Sequence, residues 1–285
     1  MNKISKKLCL LLALMMAFTM FAAGCGSSGD KTGATDSSLT DLVAKGTFVI
    51  GVDDEFAPMG FRDEAGNLTG FDVELAKLVA AKLGVGFEAQ AIDWSTKEVL
   101  LDNGTIDAIW NGYTITAERN DKVEYTKPYM NNQQVIVVAA DSPVATKADL
   151  VGKVVGAQSD SSGLAALQAD DVLATGAASI LEYDTYQTAL LDLTTSRVDA
   201  IVIDKIYIQY AMAKSPGTYK LLDETLGDEL YGIGVKKGSV ALREAIDTAL
   251  DELQQDGSID KLSAAWFGEN IVIRDMEKQT AADLK

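Results

Sequence analysis

Short apolar runs alternate with amphipathic stretches from residue 47 to residue 267, and no other feature of the chain constrains its fold as strongly. TFVIGV (47–52), GFEAQAI (86–92), DAIW (107–110), VIVVAA (135–140), KVVGA (153–157), ASILEY (178–183), DAIVI (199–203) and YGIGV (231–235) read as strands. Between them, Phe71, Leu75, Leu78, Val79 and Leu83 fall on one face of a helix. Residues 239–255 and 259–267 read as two closing amphipathic helices, and Ser95-Thr96-Lys97-Glu98 has the form of a capping box opening another. The alternation implies an α/β chain on open, mostly parallel sheets covered on both faces. LLDNGTIDAIW (100–110) and LLDLTTSRVDAIVI (190–203) echo each other, each running from a helix end into a strand. Two similar lobes are therefore expected. Ligands of open α/β sheets bind beyond the carboxyl ends of the strands, which puts the site in the cleft between the lobes.

Composition narrows the chemistry. The chain has 285 residues, 25 Lys+Arg against 42 Asp+Glu, a formal charge of −17, and no His. A His-based triad, an imidazole general base and His-ligated zinc or haem are excluded. The acidic balance argues against nucleic acid, which needs a basic face, and 47% hydrophobic residues excludes a largely disordered chain. At the N-terminus, Lys3, Lys6 and Lys7 lead an apolar run over 8–23 that suits a secretory signal better than a span of about 20 residues. Ala22-Ala23-Gly24 before Cys25 resembles a bacterial lipoprotein signal, with Ala22 where that pattern usually has leucine; ordinary cleavage near Ala23 is the alternative. The resemblance implies loss of residues 1–24 and lipidation of Cys25, which anchors the protein to the outer face of the cytoplasmic membrane. GSSGDKTGATDSS follows Cys25, and residues 25–45 are assigned to a flexible tether.

More specific motifs follow. Gly70-Phe71-Asp72-Val73-Glu74-Leu75, with Val79, Ala80 and Leu83 after it, matches the signature of the polar-amino-acid family of bacterial extracellular solute-binding proteins. The resemblance covers about residues 46–268, taking in Gly51-Val52-Asp53, Phe56-Ala57-Pro58-Met59, Trp110 to Thr116 with Arg119, and Trp266-Phe267-Gly268. It implies a two-lobed periplasmic-binding-protein-like fold and a monomeric, non-catalytic receptor handing free amino acids to an ABC permease and its ATPase. On that pattern, lobe 1 takes 46–130 and 233–270, lobe 2 takes 134–229, hinges lie at 131–133 and 230–232, and 271–285 is a C-terminal tail.

A free amino acid is a zwitterion, so its site needs a fixed cation and a fixed anion. Arg119 is the candidate cation, because a guanidinium makes paired hydrogen bonds to a carboxylate. Spacing alone favours a solvated helix arginine, whereas the resemblance implies a grip on the α-carboxylate. Asp204, at the end of DAIVI, reads locally as a helix N-cap; the resemblance implies that it binds the α-ammonium. The same pattern brings in Thr114 and the backbone of Asn111 and Gly112 as donors and acceptors, and Phe56 and Trp94 as an aromatic sandwich. Ser161 is either an N-cap or a donor to the carboxylate. Asp53 would meet the far end of the ligand side chain, favouring arginine, lysine or histidine; glutamine or cystine could satisfy it by hydrogen bonding. No metal site and no cofactor are expected. The rival classes are a dehydratase-like enzyme using a cleft Asp or Glu as general acid, and a signalling or adhesion module.

Overall fold

The structure is a computed structural model that describes residues 36–274. The expected signal peptide, Cys25 and the tether up to Thr35 lie outside the described residues, as do 275–285 of the expected tail.

The remainder of the expected tether is helix. Residues Ser38–Lys45 form α1, closed by Gly46 in the left-handed region. Leu42 is buried and Leu39 packs against the core, so this short stretch has an apolar side that the Ser/Asp content obscures. The chain then lays down β1 (Thr47–Val52), a small antiparallel sheet of β2 (Glu55–Phe56), β3 (Gly60–Arg62) and β4 (Leu68–Thr69), and helix α2 (Phe71–Leu83). Next come β5 (Gly86–Ala91), α3 (Lys97–Asp102), β6 (Ala108–Ile109), α4 (Ala117–Lys122) and β7 (Val123–Tyr125). It crosses into β8 (Met130–Ala139), β9 (Val154–Gln158), α5 (Ser162–Ala169), α6 (Leu173–Gly176) and β10 (Ser179–Tyr183). There follow α7 (Tyr186–Thr194), β11 (Ala200–Asp204), α8 (Lys205–Lys214) and β12 (Tyr219–Tyr231). The chain returns as β13 (Gly234–Lys236), α9 (Val240–Gln255) and α10 (Ser258–Phe267).

Two five-stranded sheets result, ordered β5-β1-β6-β13-β7 and β10-β9-β11-β8-β12. In each, the first three strands are parallel and the last two pairings antiparallel. The sheets are thus more mixed than the alternation predicts. Parallel neighbours need a crossover connection, and β8 and β13 are instead the strands by which the chain enters one lobe from the other. Residues 131–133 lie inside β8 and pair with 228–230 of β12, making an antiparallel ribbon between the lobes.

The internal echo has a structural counterpart. Asp107 accepts the Val49 N–H (2.7 Å) and Asp199 accepts the Val154 N–H (2.9 Å). Each carboxylate therefore pins the neighbouring parallel strand, the middle of β1 in one lobe and the first residue of β9 in the other. A lysine backs each of them, Lys45 at 2.9 Å and Lys153 at 3.5 Å.

The Gly-Phe-Asp motif opens α2. Gly70 has φ 131°, and a Cβ there would stand 2.3 Å from the Met59 carbonyl oxygen, so only glycine fits. Phe71 enters the core, and Asp72 is fully buried, accepting the Tyr129 hydroxyl (2.8 and 2.9 Å) and the Gly112 N–H (2.8 Å). Burial pushes the Asp72 carboxyl up to about 7, against these donors. An unfolded aspartate titrates at about 3.9. The protonated form therefore favours the fold: this stabilisation is complete below pH 4 and is lost as the pH rises through 7. Asp72→Asn should flatten that decline, so denaturant midpoints at pH 4 and pH 7 should differ less in the variant than in the wild type. Equal declines would contradict the assignment.

Candidate functional site

Between the lobes lies a narrow, partly closed cavity of about 10 Å³, room for about one water. Eight of the nine expected residues line it: Asp53, Phe56, Trp94, Asn111, Gly112, Arg119, Ser161 and Asp204. Gln158 and Ser162 complete the lining, and neither was singled out from the sequence. Thr114 lies behind the lining, its hydroxyl 3.1 Å from both Ser162 Oγ and Glu229 Oε2.

Arg119 comes from α4, whose N-cap is Thr116: its Oγ1 accepts the Arg119 N–H at 3.1 Å. The guanidinium is nearly buried and lies 4.7 Å from the Tyr113 ring. It donates to two carbonyls, Thr114 O at 3.2 Å in its own lobe and Asp160 O at 2.8 Å in the other. A solvated helix arginine would look different. Across the cavity, Ser161 caps α5, accepting the Leu164 N–H (2.9 Å) and donating to Gln158 O (2.7 Å). Its hydroxyl is committed to the cap, so it offers the cavity the first turn of α5 rather than a free O–H.

Asp204 ends β11 and precedes α8, yet its carboxylate does not cap that helix. Asn132 does so instead, its Oδ1 accepting the Ile206 N–H at 3.4 Å. The Asp204 carboxylate turns inward, accepting Asn132 Nδ2 (2.6 Å), the Tyr186 hydroxyl (2.9 Å) and the Tyr231 hydroxyl. Glu229 accepts the same Asn132 amide at 3.0 Å and the Gln134 amide at 3.0 Å. Burial, then the charge of Glu229, raises the Asp204 carboxyl above the ordinary range. Among the described residues neither Arg119 nor Asp204 forms a salt bridge.

At the third corner, Asp53 follows β1. Its Oδ2 accepts Gln158 Nε2 from the opposite lobe at 2.7 Å, and its Oδ1 accepts the Glu55 N–H at 3.0 Å. Burial pushes Asp53 up to about 6, with the Glu55 and Asp54 charges adding to the rise and those donors opposing it. Asn111 Oδ1 accepts the Asp53 N–H (2.9 Å), while its own Nδ2 is buried without a protein partner. Gly112 has φ 59°, and a Cβ there would lie 2.9 Å from the Phe56 ring. Phe56 packs on Tyr186 and Tyr207, and Trp94 meets Tyr113 edge-on.

The expected capping box is not formed. The side chain of Asp93, not Ser95, accepts the first N–H of the turn, that of Ser95 at 2.9 Å, and a 3₁₀ turn over Trp94–Thr96 precedes α3. Asp93 lies two residues upstream and reaches the N–H first. Glu98 is then free to accept the Tyr113 hydroxyl at 2.9 Å, and Lys97 points inward. Glu229, Asn132 and Gln134 come from the inter-lobe ribbon, and nothing local in the sequence marks them as neighbours of Asp204.

Residues 48–269 match the model of bacterial extracellular solute-binding proteins, family 3. The L-cystine-binding protein TcyJ of Escherichia coli is 29% identical over 243 residues, which cover 85% of this chain and 90% of TcyJ. An ABC uptake transporter substrate-binding protein from Streptococcus pneumoniae, solved with bound histidine, is 36% identical with a TM-score of 0.80, over 84% of this chain and 98% of that one. Tv2483 bound to L-arginine is 29% identical with a TM-score of 0.82, over 85% of this chain and 99% of that one. With the family match spanning most of the chain, this protein belongs to family 3 of the bacterial extracellular solute-binding proteins.

Proposed function

We propose that the protein captures a free amino acid with a cationic side chain in the cleft between its lobes and delivers it to an ABC importer. The observation that carries this reading is a buried guanidinium and a buried carboxylate on opposite lobes, each held by neutral partners. Both charges bear a desolvation cost that a bridging zwitterion offsets. The ligand carboxylate meets Arg119 and the first turn of α5; its ammonium meets Asp204. Asn111 Nδ2 and the Gly112 backbone complete the grip from lobe 1.

The side chain of the ligand then faces Asp53. Its partner across the cleft is the neutral amide of Gln158, so the carboxylate keeps its charge for the ligand. The relatives solved with histidine and arginine agree with a cationic ligand. TcyJ, a cystine-binding protein, supports cystine as the second reading, because Asp53 could accept a hydrogen bond from its distal ammonium. Lobe movement takes place about the ribbon at 131–133 and 230–232, and ligand favours the shut form through contacts to both lobes. Residues 1–24 are removed as a signal, Cys25 carries the lipid, and the receptor works as a monomer. The related binding proteins speak against the dehydratase reading; recovery of unchanged arginine after long incubation tests it.

Asp53→Asn should weaken arginine binding by about 30-fold, ~2 kcal/mol, while glutamine binding changes by less than about 3-fold. Equal losses would sink the side-chain assignment. Arginine needs ionised Asp53, whose pKa of about 6 lies above that of an unfolded carboxyl. Its affinity should therefore rise about 10-fold from pH 5 to pH 7, with protons released on binding. Asp204 adds a similar trend for every amino acid, so the arginine-specific excess is the part that Asp53→Asn removes in calorimetry at the two pH values.

A further inference from the structure

Lys97 is the most deeply buried lysine in the described structure, with 1% of its surface exposed. Lysine is seldom buried to that degree without partners. Its ammonium donates to Trp94 O (3.0 Å) and to Asp160 O (3.2 Å), and it stands 3.4 Å from Glu98 Oε2 and 5.0 Å from the Trp94 ring. The Asp160 carbonyl belongs to the opposite lobe, and the same oxygen accepts Arg119 at 2.8 Å. Two lobe 1 cations thus converge on one lobe 2 oxygen. Asp160 takes a left-handed conformation, φ 54°, uncommon outside glycine, in the turn that leads into α5. Ser161 caps α5 and Ser162 lines the cavity, its N–H being one of the first-turn donors that a helix leaves unpaired.

We propose that Lys97 is a positioning residue for the carboxylate end of the cleft: by sharing the Asp160 carbonyl with Arg119, it clamps the α5 turn of lobe 2 against lobe 1 when the lobes meet. The idea rests on the receptor reading for its ligand, though not for the clamp itself. Arg119 and Lys97 repel each other, and the shared oxygen lies between them. An incoming ligand carboxylate at Arg119 relieves that repulsion, which couples capture to clamping. The charged groups facing Lys97 are Glu98 on its own helix, Asp93 in the turn before it, Arg119 and Glu118 on α4, and Asp160 from lobe 2. Burial, then the charge of Arg119, pushes its ammonium down to about 8, with Glu98 and Asp160 opposing.

Lys97→Met keeps length and apolar bulk while removing the charge and the donors. In stopped-flow measurements, arginine should leave this variant about 10-fold faster, with association little changed. Amide exchange over 159–165 should be faster in Lys97→Met than in the wild type, both measured without ligand. In the wild type, arginine release should accelerate between pH 7 and pH 9 as Lys97 loses its proton, and more steeply than in Lys97→Arg, where only the ligand's own α-ammonium titrates in that range; this readout survives if Lys97→Met does not fold. Wild-type exchange and release in Lys97→Met, or a pH profile no steeper in the wild type than in Lys97→Arg, would overturn the clamp. A wild-type protein that binds no amino acid yet shows the exchange difference would instead refute the receptor reading and leave the clamp standing.

Discussion

Two opposite charges are buried in one cavity without touching each other, and much of the molecule is arranged to tolerate that. Arg119 is held by two carbonyls and the face of Tyr113; Asp204 is held by two tyrosine hydroxyls and an asparagine amide. Charge buried in this way costs several kcal/mol unless it is hydrogen-bonded. Neutral donors and acceptors supply that minimum without cancelling the charge. The second layer follows from the same need. Tyr125 donates to Thr114 O, one of the Arg119 acceptors. Asn132 takes over the helix cap that Asp204 would otherwise provide, leaving the carboxylate free to face the cavity.

The two sheets repeat one solution. Each lobe places three parallel strands beside two antiparallel ones, and each uses an aspartate just before its third parallel strand to fix the register of the neighbour. The cleft opens at the carboxyl ends of those strands, where Asp53 follows β1, Gln158 ends β9 and Asp204 ends β11. Helix ends and strand ends from both lobes therefore meet at one point, and closure brings side chains far apart in sequence within hydrogen-bond distance.

Much of this was legible in the sequence, for identifiable reasons. Apolar runs such as TFVIGV and DAIVI are buried strands whose composition leaves few alternatives, and the repeated Asp-Ala-Ile foretold two like lobes. The cavity-lining residues carried by motifs were also visible. What escaped depended on tertiary contact. Helix α1 looks like linker because only Leu39 and Leu42 among its polar neighbours pack inward. Lys97 reads only as an interior residue of a capping box, since nothing local predicts that a carbonyl from the other lobe will meet its ammonium. Gln158 reads as the residue after a strand, in a turn, until Asp53, 105 residues away in sequence, is placed beside it. Glu229 and Asn132 become neighbours through the register of β8 and β12, which strand propensity does not set.

That arrangement leaves a positive pole at Arg119, a negative pole at Asp204 and a third, negative corner at Asp53. Its most direct test is calorimetric titration of the protein at pH 7 with arginine, lysine, histidine, cystine, glutamine and glutamate. Saturable one-to-one binding is predicted for a cationic amino acid, with glutamate, whose side chain would face Asp53, giving none. Preferential binding of glutamate, or no heat from any of the six with the protein folded, would contradict it.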